Sequence, residues 1–170
     1  MTETQDPRAA ARRRSVPTPA LPATDEIKQA VRAFVDERGQ AAFYTLDRDG
    51  FPTGRVLGVS VGDDWTVEIV QARRTGRVAH VRRTPQVAVV WTEGTNGRNV
   101  YLRGSARLVE GDELIAAYGR RMAANRARGS TMPAMPDDEV RELLIGIAIT
   151  PRSIRTEHFG EGMGIYEWRP

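Results

Sequence analysis

From Gln40 to Val109 the chain is a succession of short period-two segments separated by tight-turn signals, and this spacing confines it to a small antiparallel β architecture. Ala41-Ala42-Phe43-Tyr44-Thr45-Leu46 leads through the turn Asp47-Arg48-Asp49-Gly50 into Gly54 to Val61, which predicts a hairpin. Gly62-Asp63-Asp64 then turns the chain into Trp65 to Gln71. Val87-Ala88-Val89-Val90-Trp91 is an apolar run of strand length, and Gly94-Thr95-Asn96-Gly97 is a second hairpin turn before a long strand from Arg98 to Val109. Gly104 inside that strand marks a bulge or a barrel bend. With Ile145 to Ile149 the count is six strands. Six antiparallel strands with few helices predict a mainly β, α+β chain folded as a small closed or split barrel. An α/β sheet would alternate strand and helix throughout.

Helices flank this core. Thr24 is a natural N-cap, and Ile27, Ala30, Val31, Phe34 and Val35 recur on one helical face up to Gly39. Asp112 to Arg128 and Asp137 to Leu144 are two further helical stretches, separated by the Pro- and Met-containing link Gly129 to Pro136.

A chain of 170 residues suits one domain that buries about 70% of its unfolded surface. It contains no cysteine, which removes disulfides, thiolate nucleophiles and cysteine zinc sites together. No apolar run approaches the roughly 20 residues that a membrane helix needs, and the amino terminus lacks the order of a signal peptide. The expectation is a soluble, cytoplasmic protein without a membrane partner. Of the net charge of +3, residues 1–22 supply +2, as Arg8, Arg12, Arg13 and Arg14 outweigh Glu3 and Asp6. A nucleic-acid binder would carry its surplus on the folded surface among aromatics, and aromatics make up only 6% of this chain. Residues 1–22, with four prolines among Ala, Thr and Arg, read as a disordered tail. The folded domain is then 23–170.

Arg73 to Pro85 places five arginines and no carboxylate at a strand-to-helix junction. A helix start offers free N–H groups and a positive dipole end, so Arg74, Thr75 and Arg77 are placed to close around a phosphoryl group. A solvated basic helix is the competing reading. His80 and His158 are the only histidines, far apart and without metal-site spacing, which excludes a zinc or triad enzyme and leaves no metal site. His80 reads as a surface or interface residue. Asp47-Arg48-Asp49-Gly50 lacks the glutamate that a calcium loop requires, and Gly160 to Gly164 has neither the strand before it nor the helix after it of a dinucleotide fingerprint; it reads as a connector to Ile165-Tyr166-Glu167-Trp168-Arg169.

Four pieces in order resemble the pyridoxamine 5′-phosphate oxidase-like flavin-binding split-barrel superfamily, including its deazaflavin-using branch. They are Thr45 to Pro52, Arg55-Val56-Leu57, the Thr75-x-Arg77-Val78-x-x-Val81-Arg82-Arg83-x-Pro85-x-Val87 stretch, and Val100 to Val109. The resemblance covers about Thr24 to Phe159. It implies that Arg55, Thr75 and Arg77 hold the phosphate of a cofactor. Backbone around Val56, Leu57 and Gly58, together with Val70 and Gln71, would line the ring. A partner-strand amide of the family falls on Asn99, and a site between two subunits implies a homodimer.

On this resemblance the chain is an oxidoreductase that uses coenzyme F420 or FMN to reduce a small organic acceptor. The carboxy-terminal Arg-Leu-His-x-Arg signature of the true vitamin B6 oxidases is missing, since the chain ends Trp168-Arg169-Pro170. Pyridoxamine phosphate is therefore not the expected substrate. Arg73, Arg74 and Arg82 would meet the anionic tail of F420. No catalytic side chain stands out, because the cofactor itself carries the hydride chemistry. A flavin- or haem-binding carrier without turnover is the alternative, and an interaction module whose basic tail meets acidic partners is a third reading.

Overall fold

The computed structural model describes residues 19–95, 97–160 and 164–170. Most of the expected tail and of the Gly160 to Gly164 connector therefore lies outside the described residues. The last two residues assigned to the tail, Leu21 and Pro22, form a short strand, β1, that pairs in parallel with β9 (Gly164–Trp168).

Helix α1 (Asp25–Arg38) starts where the sequence places it. Thr24 Oγ1 accepts from the Ile27 N–H at 3.3 Å, and Gly39, in the left-handed region, donates its N–H to Val35 O. The expected stripe is buried through Ile27, Val31, Phe34 and Val35.

The expected six strands form a closed circuit. Strand β2 (Gln40–Leu46) pairs with β3 (Pro52–Gly58) and with β6 (Gln86–Thr92). From β6 the ladder runs to β7 (Asn99–Val109), β8 (Leu144–Phe159) and β5 (Val67–Ala72). The circuit closes through β4 (Ser60–Val61), the continuation of β3 beyond Val59, which pairs with β5. Counting β3 and β4 as one kinked strand gives a six-stranded antiparallel barrel, with β1 and β9 added outside it.

Two strands differ from their expected lengths. Trp65 has φ 65° and belongs to the turn before β5. Strand β8 runs ten residues past Ile149 because Arg152, Ser153, Arg155, Thr156 and Glu157 hide its alternation behind polar side chains. The irregularity expected at Gly104 is present: the β7–β8 register shifts between Arg103 and Gly104, leaving Arg152 as the extra residue on β8. A Cβ on Gly104 would lie 2.5 Å from Thr150 O, so only glycine lets the two backbones approach this closely.

Inward-facing Phe43, Ile69, Val89, Trp91, Leu102, Ile147 and Ile149 make the main core, onto which α1 packs. Helix α2 (Gly76–Arg83) links β5 to β6. Helices α3 (Gly111–Ala127) and α4 (Asp137–Leu143) cover the outside of β5 and β8, where Val70, Val109, Leu114, Ala117, Val140 and Ala148 form a second cluster. No described helix is long and apolar enough to cross a membrane.

Candidate functional site

Strand parity decides where the arginines of β3 and the end of β5 meet. Arg55 stands opposite Phe43, so it shares the inner face of the barrel, yet it is exposed because β3 lies at the mouth. On β5 the inward positions are Val67 and Ile69, and the next inward position is Gln71. The chain then passes Arg73 and Arg74 to enter α2. Arg77, in the first turn of that helix, donates from Nε to Gln71 Oε1 at 3.1 Å.

This corner is cationic and incompletely satisfied. The pKa of Arg77 is lowered, first by burial and then by the charge of Arg55 beside it. Neither guanidinium makes an ion pair among the described residues. Gln71 Nε2 and Thr75 Oγ1 are both buried without a hydrogen-bond partner. Thr75 occupies the N-cap position of α2, but its hydroxyl does not cap, and the first turn carries no acidic residue. Two adjacent cations, an unused amide donor, an unused hydroxyl and an open helix start fit a group with several anionic oxygens. The residues present thus fit the phosphate of a flavin-type cofactor.

The remaining expected residues divide by position. Val56 and Gly58 lie on the outer face of β3, whereas Leu57 packs inward on the core. Val70 faces outward beneath α3. A ring along this edge would therefore meet backbone at 56–58 and the rim of β5. Asn99 is not brought to this corner. It begins β7, ten residues before Val109, and its amide donates to Gly97 O at 2.9 Å and to Glu157 at 3.4 Å. Arg73 is engaged elsewhere, in an ion pair with Glu110 and a bond to Arg141 O. Arg74 and Arg82 are exposed, and Arg83 donates to Leu46 O.

Two side chains at the site are not evident from the sequence. His80 turns inward, with Nδ1 2.9 Å from Thr45 Oγ1 and 3.5 Å from Thr53 Oγ1, and so braces α2 against the β2–β3 hairpin. Arg121 reaches down from α3 and donates from Nη1 to Val70 O at 2.5 Å and to Gly58 O at 3.4 Å. Burial lowers its pKa, an effect Tyr118 partly opposes. A signal for it existed: Arg121 follows Leu114 and Ala117 on the apolar face of its helix, where a cation is out of place. Among the described residues no group of three acidic or histidine side chains is arranged to hold a metal.

The outer face of the β3–β2–β6 sheet is apolar although nothing among the described residues covers it. Tyr44 and Val56 are 39% and 61% exposed. With Leu46, Pro52 and Ala88 nearby, Tyr44 lines an open cavity of about 370 Å³.

The sequence profile of the pyridoxamine 5′-phosphate oxidase family matches residues 27–156. No curated protein matches the chain. Among solved structures, a conserved hypothetical protein from Mycobacterium tuberculosis is 21% identical, with a TM-score of 0.64 over 82% of this chain and 89% of that one. An F420 reductase is 14% identical, with a TM-score of 0.59 over 72% and 94% of the two chains. A pyridoxamine 5′-phosphate oxidase-related, FMN-binding protein from Nostoc punctiforme is 11% identical, with a TM-score of 0.56 over 88% and 99%. These likenesses show a shared split-barrel fold.

Proposed function

Since the chain belongs to the pyridoxamine 5′-phosphate oxidase family, we propose that it is an oxidoreductase that binds FMN or coenzyme F420 and reduces a small organic acceptor. The observation that carries this reading is the corner formed by Arg55, Gln71, Thr75 and Arg77. Among the described residues its two guanidiniums have no counter-ion, and two of its buried polar atoms have no partner. In this reading Arg55 and Arg77 neutralise the cofactor phosphate, Thr75 donates its hydroxyl to it, and Gln71 turns its free amide toward the bound group. Backbone at Val56, Leu57 and Gly58 and the rim of β5 at Val70 support the ring. The bound cofactor would supply a hydride, and the chain's part is to bind, orient and exclude water.

The uncovered apolar face of β2, β3 and β6 supports a homodimer, because strands apolar on both sides are stable when both sides are buried. A dimer would also complete a site that lies open at the barrel mouth, and it is the setting in which Asn99 could serve. Arg73 is committed to Glu110, so Arg74 and Arg82 are the arginines left to meet an anionic tail.

Absorption titrations with FMN and with F420 test the reading. Saturable binding of one of them at micromolar concentration is expected, and binding of neither overturns it. Among the described residues the cradle holds no carboxylate, and its histidine is turned onto Thr45. That observation favours a second reading, a cofactor carrier without turnover. Anaerobic reduction of the bound cofactor followed by exposure to candidate acceptors separates the two.

A further inference from the structure

The pairing between β4 and β5 stops at a defined point. Ser60 faces Glu68 and Val61 faces Val67, while in the turn beyond them Gly62 donates to Thr66 O at 2.8 Å. In an antiparallel ladder the hydrogen-bonded pairs recur every two residues. Gly62–Thr66 and Ser60–Glu68 are such pairs, and the next in register would be Gly58–Val70. Gly58 has the orientation for it, because the neighbouring Val59 turns its N–H the other way, to Gly39 O at 3.1 Å. Yet the ladder ends one step short. The carbonyls of Gly58 and Val70 both accept from Arg121 Nη1 instead.

A guanidinium thus stands where a strand pair would otherwise form. It lies flat against Gly58: a Cβ there would be 2.9 Å from Arg121 Nη2 and 3.2 Å from its Cζ. Beyond this fork β3 and β5 diverge, and the first inward residues on the diverging arms are Leu57 and Arg55 on one side and Gln71 on the other. We propose that Arg121 is a positioning residue that holds the β3–β5 fork open and thereby sets the gap between Arg55 and Gln71 into which the cofactor fits. The proposal rests on the cofactor reading above for its functional part, and on the apo protein alone for its structural part. Arg121 acts through backbone carbonyls, and no carboxylate neutralises it among the described residues.

The structural part is read by amide hydrogen exchange on the apo protein. In Arg121→Met the stem is kept and the donors are lost, so the ladder extends and exchange at Gly58 and Val70 slows. A merely stabilising arginine would give unchanged or faster exchange at both amides, which overturns the proposal. The functional part is read by titration with FMN and F420. Arg121→Met is expected to weaken binding at least tenfold, Arg121→Lys, which keeps a donor for both carbonyls, to recover most of it, and Gly58→Ala, which pushes the guanidinium away, to resemble Arg121→Met. Combining Gly58→Ala with Arg121→Met should add little to either change alone. If the wild type binds and Arg121→Met binds as tightly, the positioning role fails while the cofactor reading stands. If the wild type binds neither cofactor, the cofactor reading fails, and the exchange experiment alone decides whether Arg121 holds the fork.

Discussion

Arg77 and Thr75 represent two kinds of cost within the cradle. Arg77 is held beside Arg55, and its charged form is disfavoured by burial; Thr75 hides a hydroxyl that bonds to nothing. Replacing Arg77 with Ala should weaken cofactor binding by roughly 1.5–3 kcal/mol, the range of a charge-assisted hydrogen bond, with the fold intact by circular dichroism. Thr75→Val separates the two roles further. Removing a buried unsatisfied hydroxyl while keeping its shape should stabilise the apo protein by about 1 kcal/mol, read from urea unfolding, while cofactor affinity falls. A variant that loses both stability and affinity would show that the hydroxyl is satisfied in the apo state. Thr75 and Arg77 are expected from residue type and order at the strand-to-helix junction, whereas Arg55 is expected only from the family resemblance. For Arg121 the sequence offers only a cation out of place on an apolar helix face; its partners are main-chain carbonyls, which no sequence pattern identifies. The orphan amide of Gln71 follows only from the geometry of Arg77, which occupies its oxygen and not its nitrogen.

Elements that carry their own stop signals are legible in the sequence. Helix α1 has both caps in its sequence, and β2 and β3 have the Asp47 to Gly50 turn between them, where Asp47 accepts from the N–H groups of Asp49 and Phe51. The apolar pattern predicts five residues for β8, which has sixteen, because its second half alternates polar side chains against a neighbour, β9, that itself shows no clear alternation. The bulge opposite Gly104 is what carries β8 from one half to the other. Gly104→Ala would drive a Cβ into Thr150 O, with no flexible side chain to yield. A loss of roughly 2 kcal/mol or more is expected in urea unfolding, well above a surface substitution. The β7–β8 register should shift at the same place in nitrogen and amide proton chemical shifts.

At the scale of the molecule, barrel closure was legible from six strands and short turns, whereas the assembly rests on a face whose meaning depends on what covers it. The ring of Tyr44 lies over Gly54, since a Cβ on that glycine would be 2.5 Å from the ring. This gives the outer sheet a flat apolar surface. Sedimentation at micromolar concentration should report a dimer. Tyr44→Asp, on the outer face and away from the inward-facing phosphate residues, should shift it toward monomer and lower cofactor affinity with it. A monomeric wild type that binds cofactor at full strength would remove the dimer from the mechanism. The parallel contact of β1 with β9 has a separate consequence. It lays Leu21 and Pro22 along β9, and β9 pairs with the second half of β8, from Ile154 to Phe159, while β5 and the cradle use the first half. One long strand thus serves two separate neighbours, and loosening β1 from β9 would leave untouched the half of β8 on which the cradle is built.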